Sequence, residues 1–87
     1  MPTIVREAGF SIRIYGPPRE HGPPHVHVLK GDSEVVVRLG AEGEPAAVIR
    51  RYRMTWRDMA NAFRLVEKHQ VKLEQVWRAL HDMADPD

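Results

Sequence analysis

Two histidines separated by one residue are the groups in this sequence best suited to chemistry. They stand in the hexapeptide 23–28, Pro-Pro-His-Val-His-Val. Strict alternation of histidine with valine is typical of a β-strand, because successive side chains on a strand point to opposite faces. We therefore expect His25 and His27 on one face and Val26 and Val28 on the other. Imidazole titrates near neutral pH, so two such rings can divide general acid and general base work.

Cleavage of RNA by its own 2′-hydroxyl is a reaction that such a pair can catalyse without a metal. It needs a base for the hydroxyl, an acid for the leaving oxygen and cations for the charge that builds on phosphate. Arg13 and Tyr15 alternate along a preceding strand, and both fall on the histidine side of the predicted sheet. The predicted site consists of the catalytic residues His25, His27 and Tyr15 and the substrate-binding residues Arg13, Arg19 and Arg38.

The same histidines have two other interpretations. With His21 as a third ligand from the loop, His25 and His27 can hold zinc or another transition metal, which accept imidazole readily. Alternatively the pair is structural and bonds to the backbone or to a carboxylate such as Glu20 or Glu34. The sequence leaves these interpretations open and implies no other cofactor.

The strand that carries the histidines needs a partner, and Gly31-Asp32 predicts one. A Gly-Asp pair between two strand-like runs favours a tight hairpin, with glycine supplying a positive φ. This turn pairs His27 with Val36 and His25 with Arg38 and leaves the valines together on the other face. The agreement between turn and pattern supports this register.

The rest of the chain predicts one α+β domain, residues 1–87, with the sheet in 4–52 and the helical part in 55–84. Strand patterns at 10–15 and 46–50 join the hairpin, so we expect a small three- to four-stranded, mostly antiparallel sheet. Its apolar face must be covered by a long or kinked C-terminal helix, which leaves the histidine face open. Thr55-Trp56-Arg57-Asp58 resembles a capping box, so that helix should begin near Thr55. Apolar residues recur along it at spacings of three and four, with Gln70 in the one gap, and the first four of them are expected in the core: Trp56, Met59, Phe63, Val66, Leu73, Trp77 and Leu80.

The length of this helix raises a question about its far end. A helix of about 28 residues is roughly 40 Å long, whereas strands span about 20 Å. It must bend near His69 or project beyond the sheet. A projecting end makes Val76, Trp77 and Leu80 a partner interface, and a bent helix buries them in the core. Both outcomes are compatible with the sequence.

Composition restricts the classes of function. The 87 residues carry a formal net charge of +1 and no cysteine, which excludes disulfides, thiol catalysis and thiolate metal sites. No apolar run could span a bilayer and the start lacks a signal-peptide pattern, so we expect a cytoplasmic protein without membrane contact. Positive charge is concentrated in a short segment with an interleaved tyrosine, and this pattern suits contact with nucleic acid. The cations are Arg50, Arg51, Arg53 and Arg57.

Together these features resemble a known family. The opening Met-Pro-Thr-Ile, the strand 10–15, the box at 23–28 and a terminal helix with Val66, Leu73 and Trp77 are similar to the small prokaryotic proteins called domain of unknown function 4160. The resemblance covers nearly the whole chain. It implies no established activity, but members often lie beside another short gene, and some are suspected parts of toxin–antitoxin modules.

The combined expectation is a component of a bacterial toxin–antitoxin-like module. In one version it is a metal-independent ribonuclease toxin that uses the paired histidines. In the alternatives it is a non-enzymatic, antitoxin-like module that binds protein or nucleic acid, or a histidine-based metal-binding protein. The expected partners are a small cognate protein from a neighbouring gene, RNA, or a second copy of the chain.

Overall fold

Alternating apolar residues fold the first half of the chain into an open antiparallel sheet. The computed structural model describes residues 3–16, 23–40 and 44–84, and the side chains only as far as 81. Five strands pair in sequence order, so the expected α+β class is confirmed, whereas the expected count of three or four strands is too low. The strands are β1 (Thr3–Glu7), β2 (Phe10–Arg13), β3 (His25–Lys30), β4 (Ser33–Arg38) and β5 (Ala47–Tyr52).

The register of the central hairpin is the one that the sequence predicts. His25 pairs with Arg38 and His27 with Val36, and Gly31 adopts φ +57° in the turn. The hairpin also extends into the proline box, because Leu39 N–H donates to the carbonyl of Pro24 at 2.9 Å. The prolines therefore lead directly into the β3–β4 ladder.

The first strand, where the sequence indicates only an edge segment at residues 1–5, accounts for the low count, whereas the last strand is found close to its expected position at 46–50. β1 follows Pro2, and a two-residue turn with positive φ at Ala8 and Gly9 joins it to β2. β5 contains a register shift opposite Val36 and Val37, and its second half is exposed. Neither strand shows clean alternation over its whole length, so pattern alone gives them little weight.

The helical part is two helices, α1 (Trp56–Lys68) and α2 (Gln70–Ala84), rather than one. Thr55 caps α1 as expected, since its hydroxyl accepts from Asp58 N–H at 3.0 Å. The break lies at His69, whose backbone N–H is shared between the carbonyls of Leu65 and Val66 at 3.2 Å each. A straight helix would overrun the sheet, and the break allows both helices to supply residues to one core.

That core lies on the valine face of the sheet. Its largest completely buried side chains come from β2 and the residue that follows it, from β3 and β4, and from both helices. They are Ile12, Ile14, Val26, Val28, Val35, Val37, Val66 and Leu73. Burying such a side chain contributes roughly 1.5–3 kcal/mol. The alternating strands and the helical stripe therefore stabilise each other.

A charged cluster fastens the helix break to the sheet. The side chains of Lys68 and His69 both bond to the carboxylate of Glu7 at the end of β1. The hydrogen bond from Lys68, followed by that from His69, lowers the pKa of Glu7 below its ordinary value of 4.5. The position of the break is thus tied to β1.

Replacing Leu73 with alanine tests whether α2 shares the core. We expect Leu73→Ala to lower the free energy of unfolding by about 2–5 kcal/mol, because a completely buried leucine leaves a cavity. The control Val71→Ala, at a position 72% exposed on the same helix, should change stability by less than about 0.5 kcal/mol. Urea unfolding measures both. Equal losses in the two variants would contradict this packing of α2.

Replacing Glu7 with glutamine tests the cluster at the break through its pH dependence. A carboxyl group with a lowered folded pKa stabilises the protein above its unfolded pKa, and this stability is lost as the pH falls through the lowered value. Glu7→Gln should therefore lower the melting temperature at neutral pH, and the difference from wild type should shrink below pH 4.5.

Circular dichroism melts across this pH range provide the measurement, and a Lys68→Met background provides the control. The effect of Glu7→Gln should be smaller in that background, because the largest cause of the pKa shift is then absent. A difference that stays constant from neutral to acid pH would show that the carboxylate charge is not the stabilising feature.

Candidate functional site

The central strands bring four residues of the predicted site to one face. Arg13 lies opposite His27 across the β2–β3 pair, and Arg38 lies opposite His25 across the β3–β4 pair. Opposite residues in an antiparallel pair have their side chains on the same face. We call these four residues the histidine cluster.

Glu34 is the polar partner that the structure adds to the cluster. Nδ1 of His27 donates to Oε2 of Glu34 at 2.6 Å. Glu34 pairs with Leu29, two residues beyond His27 on the same face, so the hairpin register itself makes this contact. A carboxylate bonded to one imidazole nitrogen fixes the tautomer and orientation of the ring.

His25 is fixed by the proline box. Its Nδ1 donates to the carbonyl of Pro23 at 2.9 Å. The backbone and carboxylate bonds proposed for a structural pair are therefore both present, the first at His25 and the second at His27 with Glu34. These bonds are compatible with an acid–base role, since catalytic imidazoles are also oriented by such contacts.

Aromatic packing connects the cluster to α2. The Tyr15 ring lies edge-on to His27 with centroids 5.0 Å apart, and the His25 ring lies 5.0 Å from Trp77. Trp77 in turn stacks on His81 at 3.6 Å. His81 was not recognised from the sequence, although its spacing of four from Trp77 on a helix is a usable signal.

The residues predicted as a partner interface belong largely to the core. Trp77 is only 5% exposed, and Val76 and Leu80 are partly buried against the core cluster. The break at His69 turns this part of α2 towards the core, which is the effect expected of a bent helix. Trp77 therefore lies in the core, as the bent-helix alternative describes, and an interface that includes the partly exposed Val76 and Leu80 stays a prediction.

The histidine cluster is less open than expected. His27 is only 8% exposed, His25, Arg13 and Arg38 are half-buried, and Nε of Arg13 is buried without a hydrogen-bond partner in the described residues. The rings of this face pack against one another, since His27 lies between Tyr15 at 5.0 Å and His25 at 5.5 Å. Arg38 also lies 3.7 Å from Glu44.

Among the described residues, no group of three or more histidine, aspartate or glutamate side chains is arranged to hold an ion, and the metal interpretation, which needs His21, stays a prediction. Its third ligand, His21, lies outside the residues that the structure describes, as does Arg19.

A second polar region is fully exposed. It comprises the end of β5 and the start of α1, and we call it the arginine–aromatic edge: Arg50, Arg51, Tyr52, Arg53, Trp56 and Arg57. Trp56 is 68% exposed and Tyr52 54%. The expectation that Trp56 lies in the core is wrong, because it is the first residue of α1 and precedes the buried part of the helical stripe.

A guanidinium group stacks on the Trp56 ring, and a second lies within cation–π distance of the Tyr52 ring. Arg51 lies 3.6 Å from the Trp56 ring centroid and donates to the carbonyl of Met54 at 3.2 Å. Arg53 lies 5.3 Å from the Tyr52 ring. A cation over an exposed ring contributes roughly 0.5–1 kcal/mol. These contacts therefore help to hold the rings in place while they remain exposed to water.

The positive charge of the edge is not neutralised within the described part of the chain. In this part of the chain, three carboxylates pair with cations outside the edge: Glu7 with Lys68, Asp58 with Lys30 and Glu74 with Arg78. No described carboxylate forms an ion pair with an arginine of the edge. β5 is also the last strand of an open sheet. The edge therefore presents uncompensated cations beside exposed rings.

The backbone of the turn between β5 and α1 adopts an unusual conformation that a hydrogen bond stabilises. Arg53 has φ +55°, a conformation that costs a residue with a side chain roughly 1 kcal/mol or more. Ser33 at the start of β4 donates to the carbonyl of Arg53 at 2.7 Å. The turn between β5 and α1 is thus fixed against the neighbouring strand.

These features define an α+β protein with an open five-stranded antiparallel sheet, one apolar face covered by two helices, and two polar regions. Comparison with protein families agrees with this class. The chain belongs to the family described as Domain of unknown function (DUF4160), whose model matches residues 9–78. The match includes the proline–histidine box, the arginine–aromatic edge and the helix break.

Further comparisons add no relative of known activity. No curated protein matches the chain, and no solved structure does. Within the described residues, neither helix is long and apolar enough to cross a membrane. Function must therefore be argued from the two polar regions.

Proposed function

We propose that this chain is the RNA-binding component of a bacterial toxin–antitoxin-like module and that it binds single-stranded RNA through the arginine–aromatic edge. The observation that carries the proposal is the stack of Arg51 on the exposed ring of Trp56 at 3.6 Å. The association with a toxin–antitoxin-like module rests on the family resemblance. The affinity for RNA rests on the chemistry of the edge.

Single-stranded RNA matches this edge in two ways. Unpaired bases stack on aromatic rings and on guanidinium planes, and each stacked base contributes about 1–3 kcal/mol. Phosphates bind the remaining cations, Arg50, Arg53 and Arg57, with release of counterions. An acidic protein would satisfy the cations alone, whereas RNA also uses the exposed rings of Tyr52 and Trp56. The two rings therefore favour RNA.

Trp56→Ala tests the stacking. The variant should bind a single-stranded RNA of about 12 nucleotides about 5- to 150-fold more weakly, the equivalent of about 1–3 kcal/mol for one stacked base. Arg50→Ala should reduce the slope of log affinity against log salt by about 0.7, since one phosphate contact is lost. Fluorescence anisotropy over a salt series measures both.

The matched control is Arg78→Ala, which removes an exposed charge from α2 and should leave affinity within about twofold. Polyglutamate as a competitor distinguishes charge from bases, because it is an anion without rings to stack. No RNA binding at low salt, or equal competition by polyglutamate and RNA, would reject the proposal. The second result would favour an acidic protein partner.

A second candidate, metal-independent RNA cleavage, is favoured by the bond between His27 and Glu34 at 2.6 Å. In this reaction a base removes the 2′-hydroxyl proton, the oxygen attacks phosphorus, and an acid protonates the departing 5′-oxygen. The products are a 2′,3′-cyclic phosphate and a 5′-hydroxyl. His25 and His27 would share the two roles, with Arg13 and Arg38 binding the phosphate and Tyr15 orienting the ribose.

Cleavage is tested with labelled RNA in the presence of a chelator. Wild type should give fragments that end in 2′,3′-cyclic phosphate, and His25→Ala should slow cleavage by about 10²–10⁴-fold, the usual contribution of one acid or base. Glu34→Gln should also slow it, whereas Glu74→Gln, which alters an exposed pair on α2, should not. Intact RNA with wild type, together with unaffected growth of bacteria expressing it, would exclude this candidate.

A further inference from the structure

A basic stripe on α1 begins where the arginine–aromatic edge ends. Arg57, Asn61, Arg64 and Lys68 follow one another at spacings of four, three and four, so they lie on one side of the helix. All four are exposed. From the first to the last, the stripe runs about 16 Å along the helix axis.

The stripe borders a groove between α1 and the turn that joins β1 to β2. The groove has a volume of about 340 Å³ and is lined by both apolar and polar groups. The largely buried Phe10 and Leu65 form its apolar floor. Lys30, Arg64 and Lys68 supply positive charge, and Asp58 supplies a carboxylate. A ligand with a flat, partly apolar ring and a negative group fits this combination.

Arg64 is the cation of the groove that is available for an anion. Lys30 is paired with Asp58 and Lys68 with Glu7, whereas Arg64 has no carboxylate partner in the described part of the chain. Its Nη1 donates to Oδ1 of Asn61 at 3.2 Å. This bond orients the guanidinium and leaves the amide nitrogen of Asn61 as a donor beside it.

We infer that an RNA strand bound at the arginine–aromatic edge continues along the α1 stripe and inserts one nucleotide into the groove, with its phosphate on Arg64 and its base edge at Asn61. This inference rests on the proposed function. It adds the direction of the strand and a second contact region. Arg57 belongs to both the edge and the stripe, so a strand that contacts Arg57 at the edge has the next cation of the stripe, Arg64, about two helical turns further along α1.

Oligonucleotide length separates the two regions. Single-strand-binding modules have site sizes of roughly 4–16 nucleotides, so an RNA of about 4 nucleotides can occupy the edge alone and one of about 12 can reach the groove. Arg64→Ala should weaken binding of the longer RNA about tenfold and leave the shorter one within about twofold. Asn61→Ala should show the same dependence on length with a smaller loss.

Arg78→Ala is the matched control, because it removes an exposed arginine from the other helix. Both changed positions on α1 are exposed, and circular dichroism verifies that the variants fold. If Arg64→Ala and Asn61→Ala bind the longer RNA as the control does, the extension is wrong while binding at the edge stands. If wild type binds neither RNA, the proposed function itself fails, and the extension fails with it.

Discussion

The β3–β4 register is the constraint on which the rest of the structure depends. A slip of one residue would turn Val26 and Val28 to the polar face and His25 and His27 into the core. The register is fixed at both ends of the hairpin, by the positive φ of Gly31 and by the bond from Leu39 to the Pro24 carbonyl. Because the core residues alternate with the polar ones, the same register that seals the core also brings the histidine cluster together.

The helix break solves a problem of length that the sheet creates. The apolar face is only as long as a short strand, yet the apolar stripe continues from α1 to the end of α2. By ending α1 at Lys68, the chain allows Leu73 and Trp77 to join the core. Trp77 then reaches the His25 ring, so the second helix closes the same end of the sheet where the imidazoles lie. The break places the polar side chains of Lys68 and His69 at the junction between the helices, and both form hydrogen bonds with the carboxylate of Glu7.

The sequence predicted the features that depend on local pattern. The hairpin register, the cap at Thr55 and the α+β class follow from alternation, turn chemistry and capping, each of which involves only neighbouring residues. It underestimated β1, because this short edge strand alternates poorly and follows a proline. It misplaced Trp56, since a stripe does not reveal where along a helix burial begins, and it could not decide the fate of Trp77. The bond between His27 and Glu34 was foreseen only as one possibility, because it depends on side-chain conformations across a strand pair.

The two polar regions differ in whether their charges are paired with opposite charges, and this difference bears on function. In the histidine cluster, His27 is bonded to Glu34 and Arg38 lies near Glu44, so its charges are partly compensated and its rings are packed. At the arginine–aromatic edge, folding leaves the cations without carboxylates in the described residues and the rings in water. Exposing Trp56 forgoes the larger free energy of burying its ring, and the positive φ of Arg53 costs stability. Features that cost stability persist where a ligand gains from them, and this reasoning makes the edge, rather than the cluster, the first region to probe with RNA.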